Sequence, residues 1–356
     1  MRRAIAAALI GLTLPISTVA NQREGRIGPT IQATGGLTDV KGVKVGHVTR
    51  SERPTGCTVI LVEAGAVAGV DVRGSAPGTI ETDLLNPVNL VQEVQAIFLS
   101  GGSAFGLDVA TGVRRYLYER EIGFETRVAK VPIVPGAIIF DLAVGGRPEI
   151  WPNADCGYQA AHGATAGTVA EGNVGAGAGA TVGKSGGGGP MKGGLGTASV
   201  SVPSGTDEAL VVAAIVAVNS VGDVIDPSTG AVVAGVRTPD GKALADARKL
   251  LRAGRPVQAR PGQNTTIGVI ATNARLTKVQ ATKVAQMAHD GLARAIYPAH
   301  TMGDGDAIFA LATGSITNSD VTRIGALGAE VMAEAIVRAV RAAESVPGYP
   351  AARDIK

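Results

Sequence analysis

This 356-residue chain has only two cysteines and four histidines. Cys57 and Cys156 show neither a C-x-x-C nor a zinc-ligand spacing, so they are assigned no chemistry, and their pairing is left open. His47, His162 and His289 have no nearby serine, cysteine or acidic pattern that suggests a triad. There is no G-x-S-x-G elbow and no H-E-x-x-H pair, so two common hydrolase routes lack support. No excess of one charge exists either: 33 basic and 30 acidic residues leave a net charge of +3, without the basic field a nucleic-acid partner requires. Aromatics make up 3% against 50 glycines, so small side chains and close backbone packing must supply much of the structure. No stretch after the N-terminus is long and apolar enough to span a membrane.

The N-terminus itself is patterned. Met1-Arg2-Arg3 is a basic lead, residues 4–16 are apolar, and Thr18-Val19-Ala20 offers small residues before Asn21. This is the layout of a secretory signal peptide over residues 1–20, its apolar core too short to span a bilayer. The expected location of the mature protein is the periplasm or the exterior.

Strands are expected at 43–48, 57–63, 69–74 and 96–99, with Arg53-Pro54-Thr55-Gly56 as a turn. Ser103 is expected to cap a helix running to about Glu119, and residues 158–170 read as helical. Residues 131–142, interrupted by Pro132 and Pro135, read as an interrupted or edge strand. Strands follow at 197–202 and 208–218, then a hairpin turning at Asp226-Pro227-Ser228-Thr229-Gly230 and a short helix at 242–251. Residues 252–263 form a linker rich in Gly, Pro, Arg and Gln. Thr277 and Gln280 make a capping box for a helix to about Ile296, and Asp320 caps the last helix. Strands mixed with helices in this order predict a layered α+β sandwich.

Immediately after the linker, Gly262-Gln263-Asn264-Thr265-Thr266-Ile267-Gly268-Val269-Ile270 changes abruptly from a turn to a β-branched, apolar strand. Two threonines stand at its mouth. Threonine is common at strand starts. A threonine whose own α-amino group is free can also pass its hydroxyl proton to that amine and become a nucleophile, which requires the Asn264–Thr265 bond to be cut.

Gly183-Lys184-Ser185 ends like a phosphate-binding loop, but residue 178 is alanine where the first glycine belongs, and Gly186 to Gly189 with Pro190 cannot start a helix. Nucleotide binding is therefore rejected. Lys184 is the only charge between Glu171 and Lys192. Held by rigid glycine backbone, it can approach a buried site and lower the pKa of a neighbouring amine. Asn219 ends an apolar strand, either as a turn residue or as an amide donor to a developing oxyanion. In His300-Thr301-Met302-Gly303-Asp304-Gly305-Asp306 two carboxylates sit two apart. The fuller ligand pattern of an EF-hand is missing, which leaves a solvated turn or carboxylates that orient a cationic amine.

Taken in order, Leu99-Ser100-Gly101-Gly102-Ser103-Ala104-Phe105-Gly106-Leu107, the glycine run to Lys184, Asn219, Asn264-Thr265-Thr266-Ile267 and the 300–306 loop resemble one family. It is the self-processing N-terminal-nucleophile peptidases: DmpA-like L-aminopeptidase/D-esterases, β-peptidyl aminopeptidases and the nylon-oligomer hydrolase. The resemblance covers most of residues 35–345. It implies an αββα four-layer sandwich and autocleavage into an α chain, 21–264, and a β chain, 265–356, of one catalytic domain. It implies Thr265 as nucleophile, Lys184 and Asn219 around it, and Asp304 and Asp306 at the processing and catalytic site. Small peptide or amide substrates, no metal or organic cofactor, no membrane or nucleic-acid partner, and a homo-oligomer of cleaved pairs complete the expectation. Nylon-type members carry a tyrosine where this chain has Phe140, which leaves that position as a substrate contact without a hydroxyl. The alternatives of the same chemistry are an ω-amino-acid oligomer hydrolase and an acyltransferase of the self-cleaving ornithine acetyltransferase kind.

Overall fold

The computed structural model describes Met1 and residues 35–255, 262–317 and 319–355; the expected signal peptide and residues 256–261 of the linker lie outside the described residues. The described residues from 35 onward form one compact unit. Its main sheet has nine strands: β1 (Lys44–Thr49), β2 (Gly56–Val72), β3 (Thr79–Ile80), β4 (Glu93–Ser100), β5 (Gly136–Ile138), β6 (Gly194–Val202), β7 (Leu210–Asn219), β8 (Thr265–Ala274) and β9 (Ala307–Ile316). Their order is β6-β7-β8-β9-β2-β4-β5-β3, with β1 also on β2. The β8–β9 and β4–β5 pairs are parallel and the others antiparallel. The helices are α1 (Val109–Tyr118), α2 (Ala154–His162), α3 (Ala247–Arg252), α4 (Lys278–Ala295) and α5 (Val321–Ala342).

Side-chain alternation shows how this sheet becomes two layers. Along β7, Ala214, Val216 and Val218 join a core with α4 and α5, while Ala213, Ile215 and Ala217 point into a central core. β9 divides the same way, Ile308 and Ala310 outward, Phe309 and Leu311 inward. On β2 and β4, Ile60, Ile97 and Leu99 enter that central core from the other side, and Val59, Leu61, Ala96 and Phe98 face α1 and α2. Three apolar cores thus separate four layers, α4/α5, two sheet halves and α1/α2, which is the expected αββα sandwich.

β2 joins the halves. It is one strand of 17 residues where the sequence suggested two, because its pairing slips between Leu61 and Ala66, across Gly65 at φ +85°. Further along it, a side chain at Gly69 would meet the backbone nitrogen of Thr282 at 2.3 Å, so glycine lets α4 lie directly on the strand.

Other local expectations shift. Ser103 does not cap a helix: it lies in a 3-10 segment, Ser103–Asp108, at φ +53°, and α1 begins at Val109. Helix α2 starts earlier, at Ala154 under an Asn153 cap, and ends at His162. Cys57 of β2 and Cys156 of α2 form a disulfide, with Cα atoms 6.3 Å apart, tying the helical layer to its sheet. The Thr277–Gln280 capping box and the Asp320 cap are present as expected. Among the described residues, no helix is long and apolar enough to cross a membrane.

Candidate active site

Two neighbouring strand ends and two loops converge at the N-terminal end of β8. Antiparallel pairing of β7 with β8 sets Asn219 opposite Thr265. Asn264 bridges in parallel to Asp304, which brings the 300–306 loop alongside. The glycine run supplies Lys184: Gly183 N–H and Lys184 N–H bond the carbonyls of Gly222 and Val221. Gly183 is at φ +71°, and a Cβ there would lie 2.0 Å from the Gly235 carbonyl carbon, so only glycine passes. Thr265, Lys184, Asn219, Asp304, Asp306 and Asn264 are therefore all gathered at one place.

Thr265 and Asn264 are buried. The Thr265 hydroxyl donates to the Asn264 carbonyl oxygen, and the same oxygen accepts the Gly305 N–H at 2.9 Å. The Lys184 ammonium donates to the Asn219 carbonyl (2.8 Å), the Asn219 amide oxygen (2.8 Å) and the Gln263 carbonyl (2.9 Å). Burial lowers its pKa to about 7, opposed by the charges of Asp304, Asp306 and Asp141. Asn219 is fully oriented. Its amide oxygen accepts from Thr181 N–H and Lys184, and its Nδ2 donates to the carbonyls of Phe140 (3.2 Å) and Gln263 (3.5 Å).

On the far side, Asp306 Oδ1 accepts the Thr266 N–H at 2.7 Å, and Asp304 Oδ2 accepts the Thr301 N–H at 2.8 Å. Asp304 Oδ1 is buried without a partner. Burial, with the charge of Asp306 beside it, raises the Asp304 pKa to about 6. A buried carboxylate edge next to Thr265 suits a cationic group.

A cavity of about 610 Å³ reaches Lys184 and Asn264 of this group, while Thr265, Asn219, Asp304 and Asp306 lie behind its lining. Phe140, Pro190 and Tyr349 give it an apolar wall, and Lys184, Gln263 and Asn264 line its inner end. Two residues that sequence reasoning missed fix that wall. The Arg53–Asp141 ion pair (2.9 Å) has both side chains wholly buried. Asp141 also accepts from Thr55 Oγ1 and Gly102 N–H, and Arg53 donates to the carbonyls of Asp141, Val144 and Ile150. Lys192 was likewise seen only as the end of an uncharged run. Its buried ammonium binds the carbonyls of Gly177, Ala180 and Gly193, bracing the glycine segment that carries Lys184. Local periodicity holds no signal for such partners, 88 residues apart in the case of Arg53 and Asp141. Among the described residues, no cluster of His, Cys, Asp or Glu could hold a metal ion.

Layers and site together define the DmpA-type variant of the N-terminal-nucleophile hydrolase fold. The solved L-aminopeptidase D-Ala-esterase/amidase from Ochrobactrum anthropi has the same fold, with a TM-score of 0.66 at 21% identity over 90% of this chain and 91% of that one. The profile of Peptidase family S58 matches residues 35–353. An uncharacterised aminopeptidase of Mycobacterium leprae is 44% identical over 350 residues, 88% of this chain and 92% of that protein. A 6-aminohexanoate-oligomer endohydrolase of a Kocuria species is 31% identical over 329 residues, 87% and 88% of the two chains. The chain belongs to peptidase family S58 and is an aminopeptidase-type hydrolase of that family.

Proposed function

We propose that this hydrolase cuts its own Asn264–Thr265 bond and then uses Thr265 as its nucleophile. One observation carries the reading: the Thr265 hydroxyl lies against the carbonyl of the bond to be cut, and that carbonyl already accepts the Gly305 N–H. Attack by Oγ1 on the Asn264 carbonyl carbon moves charge onto an oxygen with a donor in place. The C–N bond then breaks, the Thr265 nitrogen takes a proton, and water hydrolyses the resulting ester to free the Asn264 carboxylate and the Thr265 hydroxyl.

The uncut segment fills its own site. Gln263 and Asn264 line the cavity, and the Gln263 carbonyl is held by Lys184 and Asn219. Its departure leaves those donors facing the cavity. The freed α-amine of Thr265, with a reference pKa of about 8, takes the Oγ1 proton as a substrate carbonyl is attacked. Asn219 Nδ2 then donates to the oxyanion. The leaving amine departs with the proton, and water releases the acyl group. After cleavage the new amine of Thr265 takes the unpartnered Asp304 Oδ1 as its acceptor, while Asp306 keeps the neighbouring Thr266 N–H in place.

The substrates are amides of small amino acids or peptides. The likeness to the 6-aminohexanoate-oligomer endohydrolase favours ω-amino-acid oligomers as a second reading. The signal-peptide pattern and the Cys57–Cys156 disulfide support an exported protein. Assay of Thr265→Ala beside wild type, on aminoacyl p-nitroanilides and short amide oligomers, tests the reading. The variant is expected to stay whole and inactive; an active, whole variant defeats it.

A further inference from the structure

His300 opens the loop that carries both carboxylates, and nothing in the mechanism above uses it. Its backbone is left-handed, at φ +55°. That conformation is uncommon for residues other than Gly, Asn, Asp and His, and here it has a visible consequence. It turns two donors of one residue onto one oxygen: the His300 N–H lies 3.1 Å and the ring Nδ1 2.8 Å from Asp306 Oδ2. The other oxygen of the same carboxylate holds the Thr266 N–H at 2.7 Å.

The rest of the surroundings clamp the ring. His289 of α4 meets it edge-to-face, with centroids 4.7 Å apart and planes at 71°. His289 is fixed in turn by Nε2 on the Asp71 carbonyl at 3.0 Å. The Asp306 carbonyl accepts from Arg73 and Gly74 N–H at 3.0 and 3.1 Å, so the backbone under the carboxylate is fastened to the chain just beyond β2. The Asp306 side chain is then held at both oxygens, Oδ1 by the Thr266 N–H and Oδ2 by His300.

We propose that His300 is a positioning residue for the reaction at Thr265. Its Nδ1–H and N–H together lock the Asp306 carboxylate, whose other oxygen fixes Thr266 and with it the amine and hydroxyl of Thr265, one residue back. The inference rests on the proposed role of Thr265. It assigns His300 no proton transfer and no substrate contact, and His300 is not among the residues lining the cavity.

An asparagine at this position makes the test sharp. Asn tolerates the left-handed conformation, and its Nδ2, like the imidazole Nδ1, is bonded to Cγ and can donate to Asp306. In His300→Ala, self-cleavage and kcat are expected to fall by about tenfold or more, with KM held within about twofold, the signature of misplaced reacting groups rather than lost binding. In His300→Asn, both rates are expected to return to within about threefold of wild type. Thermal melts of both variants accompany the kinetics. Should His300→Ala fail to fold, His300→Asn alone decides: near-wild-type rates sustain the inference, and rates down tenfold in a folded protein overturn it. Wild-type rates in His300→Ala also overturn it, as does a loss carried in KM. Thr265→Ala, run in parallel, separates the two failures. If that variant stays whole and inactive while His300→Ala matches wild type, only the role of His300 falls. If Thr265→Ala is itself processed and active, the reading of the site falls first.

Discussion

The carbonyl oxygen of Asn264 accepts the backbone N–H of Gly305 at 2.9 Å, and a Cβ on that glycine would come within 2.9 Å of Thr265 Oγ1 and 2.5 Å of the Ala76 carbonyl oxygen. The donor that would polarise the bond to be cut is therefore also a residue with no room for a side chain. Gly305→Ala must push the 304–306 loop away from Thr265. Its self-cleavage is expected to slow by roughly 100-fold, the scale of losing one oxyanion donor. Gel electrophoresis over time checks this as persistence of the uncut chain.

Arg53→Met removes the cation paired to Asp141 and leaves its carboxylate buried. Breaking a buried pair from one side costs roughly 3–5 kcal/mol, read as a lower denaturant midpoint. Phe140 and Asp141 share the cavity wall, so KM is expected to rise as well.

Buried ionisable groups give the stability a signed pH dependence. Burial lowers Lys184 and Lys192 to about 7 from 10.5, so from about pH 7 to 10.5 the unfolded chain holds more protons than the folded one. Stability must rise with pH across that window. Asp223 and Asp304 are raised to about 6 from 3.8, chiefly by burial, so between those values they lower the stability as pH rises; burial also lowers His47 and His289 to about 4 from 6.5, which raises the stability across nearly the same window, so the two pairs largely offset each other. Lys192→Met is expected to flatten the alkaline rise, measured by thermal melts from pH 7 to 10.

The Cys57–Cys156 bridge joins positions 99 residues apart and touches none of the site groups. Replacing both cysteines with alanine is expected to cost about 3 kcal/mol while leaving kcat within about twofold. Chemical denaturation with a parallel activity assay measures both.

Much of this was legible in the chain. The turn-to-strand change at Asn264-Thr265 places β8, and the Thr277 and Asp320 caps place α4 and α5, because each signal is local. What escaped is long-range. The strands expected at 57–63 and 69–74 are one, because Gly65 absorbs a register slip and Gly69 admits α4, so β2 runs on. Arg53 read as a turn residue because its partner Asp141 lies 88 residues away. Lys192 read as an ordinary charge because its three acceptors are backbone carbonyls, which a sequence does not display. His300 entered the reading only as the first residue of the 300–306 loop; its left-handed backbone and its two contacts with Asp306 distinguish it.

The central claim is that Thr265 becomes an N-terminus. Intact mass together with N-terminal sequencing of the purified, active wild-type protein measures this directly. Two chains are expected, one ending at Asn264 and the other beginning Thr-Thr-Ile-Gly. Full activity from a chain still joined between Asn264 and Thr265 would contradict the account.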